Sequence, residues 1–210
     1  MKNIEGLIDD AAELAEQGHT KGEIADELNI SRETASWLVN RRGIGTEETP
    51  EPGQPHDIHV DWSTLGRDST RLYHAGAAMA DLLGKQGEDV DLTVGIEKAG
   101  GPLATTVASE LDTDLATYAP RKHQWDEEGD FDEAQGSFSR NFASIRGREC
   151  YVVDDIVTSG TTMTETIEAI DDAGGDPVAC VVIVDKQGIE EIGGAPVYSL
   201  LQVVRVGEDG

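Results

Sequence analysis

Basic residues are scarce: Lys and Arg number 16 against 42 Asp and Glu in 210 residues, leaving a formal net charge of -26. An excess of that size goes far beyond what solubility requires. It predicts a chain suited to molar salt, where the Debye length shrinks to about 3 Å and crowded carboxylates keep a hydrated, cation-rich surface instead of repelling one another. Cysteine is nearly absent as well. Cys150 and Cys180 lie in apolar surroundings without metal-ligand spacing, which predicts buried, reduced thiols. The five histidines are scattered and form no metal-binding pair at helical spacing, so no metal site is expected. Long apolar runs are missing too: Ala179 to Val184 and Val197 to Val204 fall far short of the roughly 18 residues of a membrane span. The same runs demand burial, which excludes a disordered acidic chain. No basic, apolar leader opens the sequence, and a cytoplasmic location is expected.

The first 43 residues carry helical periodicity and no strand pattern. Ile4, Leu7, Ile8, Ala11 and Leu14 form one apolar stripe, which Gly18 ends. Thr20 and Glu23 have capping-box spacing ahead of a short second helix that buries Ile24, Ala25 and Leu28. Asn29 falls at the turn, where a residue tolerant of positive φ is needed. Ser31 is placed to cap a third helix with Ala35, Leu38 and Val39 inward, closed by Gly43. Residues 44–57 are rich in Gly, Pro, Thr and Glu and read as a linker. Over 58–210 helical and strand patterns alternate, as in a doubly wound α/β domain with a mostly parallel sheet. Helices are expected near 69–83 and 102–110, and strands near 92–96, 115–118, 150–157, 178–184 and 197–204.

The strongest signal is the run Cys150-Tyr-Val-Val-Asp-Asp-Ile-Val-Thr-Ser-Gly-Thr-Thr162, an apolar strand leading through two adjacent acids into a hydroxyl-rich turn that opens a helix. Thr158, Ser159, Gly160, Thr161 and Thr162 offer hydroxyls and backbone N–H groups where the helix dipole is positive, and Gly160 permits close approach. Asp154 and Asp155 are placed to accept hydrogen bonds from a ribose diol. The segment resembles the phosphoribosyl pyrophosphate (PRPP) motif of type I phosphoribosyltransferases. That resemblance implies that the two acids hold the ribose 2′ and 3′ hydroxyls and that 158–162 hold the 5′-phosphate.

Glu97, Lys98, Ala99, Gly100 and Gly101 join a strand to a helix through a glycine turn and resemble the pyrophosphate loop of orotate phosphoribosyltransferase-like proteins. There the backbone amides would meet a diphosphate, with Lys98 as charge partner. Arg121 and Lys122 match the basic pair that precedes the catalytic loop of those enzymes. The segment after them, 123–136, holds no further Lys or Arg and is acidic, which opposes stabilisation of a leaving pyrophosphate. No catalytic residue is therefore assigned. No cofactor is required, and Mg2+ would accompany a bound PRPP-type ligand.

Thr20 to Val39 resembles a helix-turn-helix. That likeness places Ser31, Arg32, Glu33, Ser36 and Asn40 toward base edges or phosphates of double-stranded DNA and Thr20 and Lys21 near the backbone. Arg41 and Arg42 fit either a phosphate contact or the negative end of the helix dipole. A helical hairpin used for dimerisation is the competing reading, favoured by the excess of acidic over basic residues before Gly43. Together, helix-turn-helix, linker and transferase-like domain resemble the haloarchaeal GfcR family of sugar-catabolism regulators. The resemblance implies a DNA-binding homodimer that controls glycolytic genes in response to a small phosphorylated sugar such as PRPP. The alternative is a working orotate or purine phosphoribosyltransferase.

Overall fold

The computed structural model describes residues 4–41, 57–121 and 136–203. The chain forms two compact units, residues 1–62 and 63–210.

In the first unit, α1 (Ile4–Glu16), α2 (Lys21–Glu27) and α3 (Arg32–Asn40) bury Ile8, Ala11, Ile24, Ala25, Leu28, Ile30, Ala35 and Leu38 against one another. Each boundary follows from local chemistry. Gly18 sits at φ +90 beyond α1, and its N–H and that of His19 bond back to Ala15 and Leu14. The Thr20 side chain accepts from the Glu23 N–H while Glu23 Oε2 accepts from the Thr20 N–H, a complete capping box. Asn29 takes φ +53 at the turn, and Ser31 Oγ accepts from the Thr34 N–H to cap α3. The unit extends beyond Gly43, because Asp57, His59 and Val60 hydrogen-bond to its helices and turn. Gly43 and residues 44–56 of the linker lie outside the described residues.

The second unit begins with a short helix α4 (Ser63–Gly66) and continues through α5 (Ser69–Gly84), β1 (Leu92–Ile96), α6 (Gly100–Leu111), β2 (Asp114–Ala119), β3 (Ser137–Phe138), β4 (Glu149–Val157), α7 (Thr161–Asp172), β5 (Asp176–Asp185), β6 (Glu191–Ile192) and β7 (Ala195–Gln202). The sheet order is β3-β2-β1-β4-β5-β7-β6, parallel except for the short antiparallel edges β3 and β6. Leu92, Val94, Ile96, Val152 and Val182 pack with Met163, Ile167 and Ile170 of α7. The opposite alternation faces α6, since a Cβ at Gly95 would lie 2.7 Å from Ala104 Cβ. A sheet covered on both faces explains why β1 is buried along its whole length. Cys150 and Cys180 are free thiols with no exposure. Arg148 ties three strand beginnings together, with Nε 2.7 Å from Asp91 and Nη2 2.7 Å from Asp114.

The expected helices and strands occur, with ends shifted by a few residues. Helix α4 and the edge strands β3 and β6 add to the elements that periodicity predicts. Four residues or fewer carry too little periodicity to be read from sequence.

Candidate ligand site and candidate DNA-reading helix

Asp154 and Asp155 occupy the carboxyl-terminal part of β4, both partly exposed, and the Asp155 N–H donates to Asp154 Oδ1 at 2.9 Å. Gly160, at φ +77, ends the turn and precedes α7. A Cβ there would approach Ile192 Cδ1 to 3.1 Å and Ile189 Cδ1 to 3.5 Å, so the segment between β5 and β7 lies against the turn. Ser159 Oγ and Thr161 Oγ1 are 2.9 Å apart, and Thr164 Oγ1 donates to the Gly160 carbonyl at 2.9 Å.

Thr20, Ser31 and Asp68 supply side-chain acceptors to α2, α3 and α5, whereas Ala99 and Gly160 supply none to α6 and α7. Those two helices follow the carboxyl ends of the central parallel strands β1 and β4. At the start of α7 the Ser159 hydroxyl accepts from the Thr161 N–H at 3.5 Å, and the amino-terminal dipoles of both helices favour an anion.

Both loops meet at Gly100. A Cβ on that residue would collide with the Val153 carbonyl and come within 3.2 Å of Asp154 Oδ1. The structure thus brings the glycine turn and the paired acids into one place. Glu97 turns toward β2: its N–H donates to the Tyr118 carbonyl and its Oε1 accepts from Thr117 Oγ1 at 3.0 Å. The Glu97–Lys98 peptide is cis, and Lys98 is exposed. Arg121 joins through its backbone, its N–H donating to Glu165 Oε1 at 2.9 Å. Lys122 and residues 123–135 lie outside the described residues.

Sequence reasoning passed over Glu165, Asp185 and Lys186. Glu165 lies one turn into α7 and also accepts from the Tyr118 hydroxyl. Asp185 ends β5, buried, and its carboxylate accepts the N–H groups of Gln187, Gly188 and Ile189. Lys186 is buried beside it, its N–H donating to the Val157 carbonyl. A signal was present, because Val184-Asp-Lys-Gln-Gly188 repeats the apolar-strand-into-acid pattern of β4. Among the described residues no cluster of His, Cys, Asp or Glu could hold a metal by itself. A cavity of about 390 Å3 between α5 and α6 includes none of these residues.

In the first unit, Arg32, Glu33 and Asn40 of α3 are exposed and Ser36 is half-buried. Lys21 Nζ donates to Ser36 Oγ at 2.8 Å, and the Arg32 guanidinium lies beside Gly22, 3.2 Å from where a Cβ would stand. Thr20 and Ser31 are engaged as caps. Arg41 ends α3, 8% exposed with its guanidinium 4.6 Å from the Trp37 ring centroid, a position that suits the negative end of the helix dipole. Arg42 lies outside the described residues.

Comparison with known proteins agrees with this architecture. A family model described as phosphoribosyl transferase domain matches residues 61–204. The transcriptional regulator GfcR of Haloarcula marismortui is 71% identical over 100% of this chain and 99% of its own length. The chain belongs to the GfcR family of transcriptional regulators. GfcR of Haloferax volcanii is 62% identical over 99% of this chain and 100% of its own, and GfcR of Methanocella arvoryzae 45% over 98% and 100%. Among solved structures, adenine phosphoribosyltransferase from Thermoanaerobacter pseudethanolicus superposes with a TM-score of 0.56 at 17% identity, covering 72% of this chain and 91% of that one. Mycobacterium tuberculosis orotate phosphoribosyltransferase in complex with PRPP gives 0.53 at 19%, covering 69% and 80%. At these identities the likeness establishes the type I phosphoribosyltransferase fold alone. No helix among the described residues is long and apolar enough to cross a membrane.

Proposed function

We propose that the chain is a DNA-binding regulator of central sugar catabolism whose phosphoribosyltransferase-like domain senses a phosphorylated sugar such as PRPP. The observation that carries this reading is the meeting of Gly100 with Asp154 between two helices without side-chain caps. It supplies a diol acceptor, a phosphate turn and a second anion turn within one site. Glycolytic genes as targets, and the homodimer, come from the resemblance to the GfcR family. A homodimer also suits a helix-turn-helix reader, whose half-sites lie about 34–36 Å apart. Arg32, Glu33, Ser36 and Asn40 read the operator, and Lys21 steadies Ser36. The large negative charge suits molar salt, where counterion release contributes little and base contacts and DNA shape carry specificity.

Mg2+ would enter with the ligand. Two adjacent carboxylates supply hard oxygen donors, and Mg2+ commonly binds one or two carboxylates together with phosphate oxygens and water. The active-transferase reading keeps one observation in its favour, the intact acids and phosphate turn. The deciding experiment is fluorescence anisotropy of a glycolytic-gene promoter fragment at molar potassium chloride, with and without PRPP, against a scrambled duplex. Selective binding that PRPP alters supports the regulator. Equal, negligible binding to both duplexes rejects it and leaves turnover of orotate with PRPP as the test of the enzyme.

A further inference from the structure

The segment entering the ligand domain does more than connect. Asp57 Oδ2 accepts both the Ser31 N–H and the Thr34 hydroxyl, the latter at 3.1 Å, and Oδ1 accepts the Ile58 N–H at 2.7 Å. His59 Nδ1 lies 2.6 Å from the Leu28 carbonyl, and Asn29 Nδ2 donates to the Val60 carbonyl at 3.1 Å. Because a carbonyl only accepts, His59 carries its proton on Nδ1 when neutral. Its Nε2 is buried without a hydrogen-bond partner among the described residues. Residues 57–60 therefore grip the two features that aim α3: the turn at Leu28 and Asn29, and the first turn of the helix itself.

We propose that residues 57–60 are a strap that positions α3 and transmits the state of the ligand domain to it, with Asp57 as the positioning residue. The inference rests on the regulator reading above. Helix α3 has its own cap in Ser31 Oγ, so Asp57 is not needed to start the helix. What Asp57 adds is an anchor from a residue 26 positions away in sequence, bearing a charge that favours the positive end of α3. The other end of the strap runs into the ligand-binding unit along the chain. Asp61 and Trp62 alone separate Val60 from Ser63, the first residue of α4 in the ligand-binding unit. A ligand-dependent change that reaches α4 would pass along the chain to the strap, where Asp57 holds the start of α3. For ligand to act, its two states must differ in affinity for the operator, and the strap supplies a physical path for the difference.

The test uses the full chain and the variants Asp57→Ala and Asp57→Asn. Three quantities are read: PRPP affinity by calorimetry, amide exchange of residues 31–35, and the ratio of operator Kd with and without PRPP. Asp57→Ala is expected to leave PRPP affinity unchanged and to speed exchange at the start of α3 by roughly tenfold or more, the loss of a charge-assisted bond. It also brings the operator ratio close to one. Asp57→Asn keeps an amide oxygen for the Ser31 N–H and retains most of the wild-type ratio. A purely structural strap would weaken both operator affinities equally and leave their ratio intact. That result, or unchanged exchange in α3, overturns the proposal. A wild-type chain whose operator binding ignores PRPP overturns the sensor reading and the transmitting role together. Exchange, which does not depend on DNA, then judges the positioning of α3.

Discussion

The Tyr118 hydroxyl donates a 3.0 Å hydrogen bond to Glu165 Oε1, tying the end of β2 to the helix that begins at the phosphate turn. The same oxygen accepts the Arg121 N–H, and a Cβ on Gly136 would strike both the Tyr118 hydroxyl and Glu165. One carboxylate thus holds residues 118 and 121 near the start of α7, with Gly136 close beside them. Glu165→Ala leaves the buried Tyr118 hydroxyl without its acceptor and is expected to lower stability by about 1–3 kcal/mol. It should also weaken PRPP binding. Glu165→Gln keeps an acceptor and should be milder. Thermal melts and calorimetry on the two variants check the order.

Stability should fall on the alkaline side. Burial pushes the Cys150 and Cys180 thiols up to about 12 from an ordinary 9.0. Burial first, and then the bond to Glu165, pushes Tyr118 above its ordinary 10.0. The folded chain keeps these protons where the unfolded chain releases them. Their contribution is complete below about pH 9 and is lost as pH rises toward 12, with a limiting slope of about 1.4 kcal/mol per pH unit for each group. Denaturant titrations from pH 8 to 11 should show the decline. At pH 8 neither thiol should react with a disulfide reagent until the chain is unfolded.

Gly100 and Gly101 should respond in opposite ways. At Gly100 a methyl group meets backbone on β4, which cannot yield as a flexible side chain would, and Gly100→Ala is expected to cost about 1–3 kcal/mol and disturb Asp154. At Gly101 a Cβ meets nothing within 4 Å, and Gly101→Ala, within the first turn of α6, should be neutral or slightly stabilising. Paired thermal melts distinguish the two sites.

Arg32 and Arg41 should separate recognition from folding. Arg32→Ala changes an exposed side chain, leaving the melting temperature near wild type while weakening operator binding. Arg41→Ala removes a cation packed on Trp37 and should lower stability by about 1 kcal/mol. Reversed outcomes would show that the DNA face lies elsewhere on α3.

Asp154→Asn with Asp155→Asn should preserve operator binding and abolish its response to PRPP. If PRPP still shifts the operator Kd in that double variant, the diol site is misplaced. In the enzyme reading the same substitutions stop turnover instead.

Local chemistry made most elements readable in advance. Caps at Thr20 and Ser31, positive φ at Gly18 and Asn29, and the apolar runs of β1, β4 and β5 depend on neighbours within a few residues, and so do the acids and hydroxyls of 154–162. Sequence therefore determined two units of different class and a motif fit for a sugar phosphate. Tertiary structure alone decided what those pieces meet. Gly100 touches Asp154, Glu165 gathers Tyr118 and Arg121, and Asp57 closes on Ser31. These partners lie 26 to 54 residues apart in the chain, and no local periodicity encodes which of them packing will bring together.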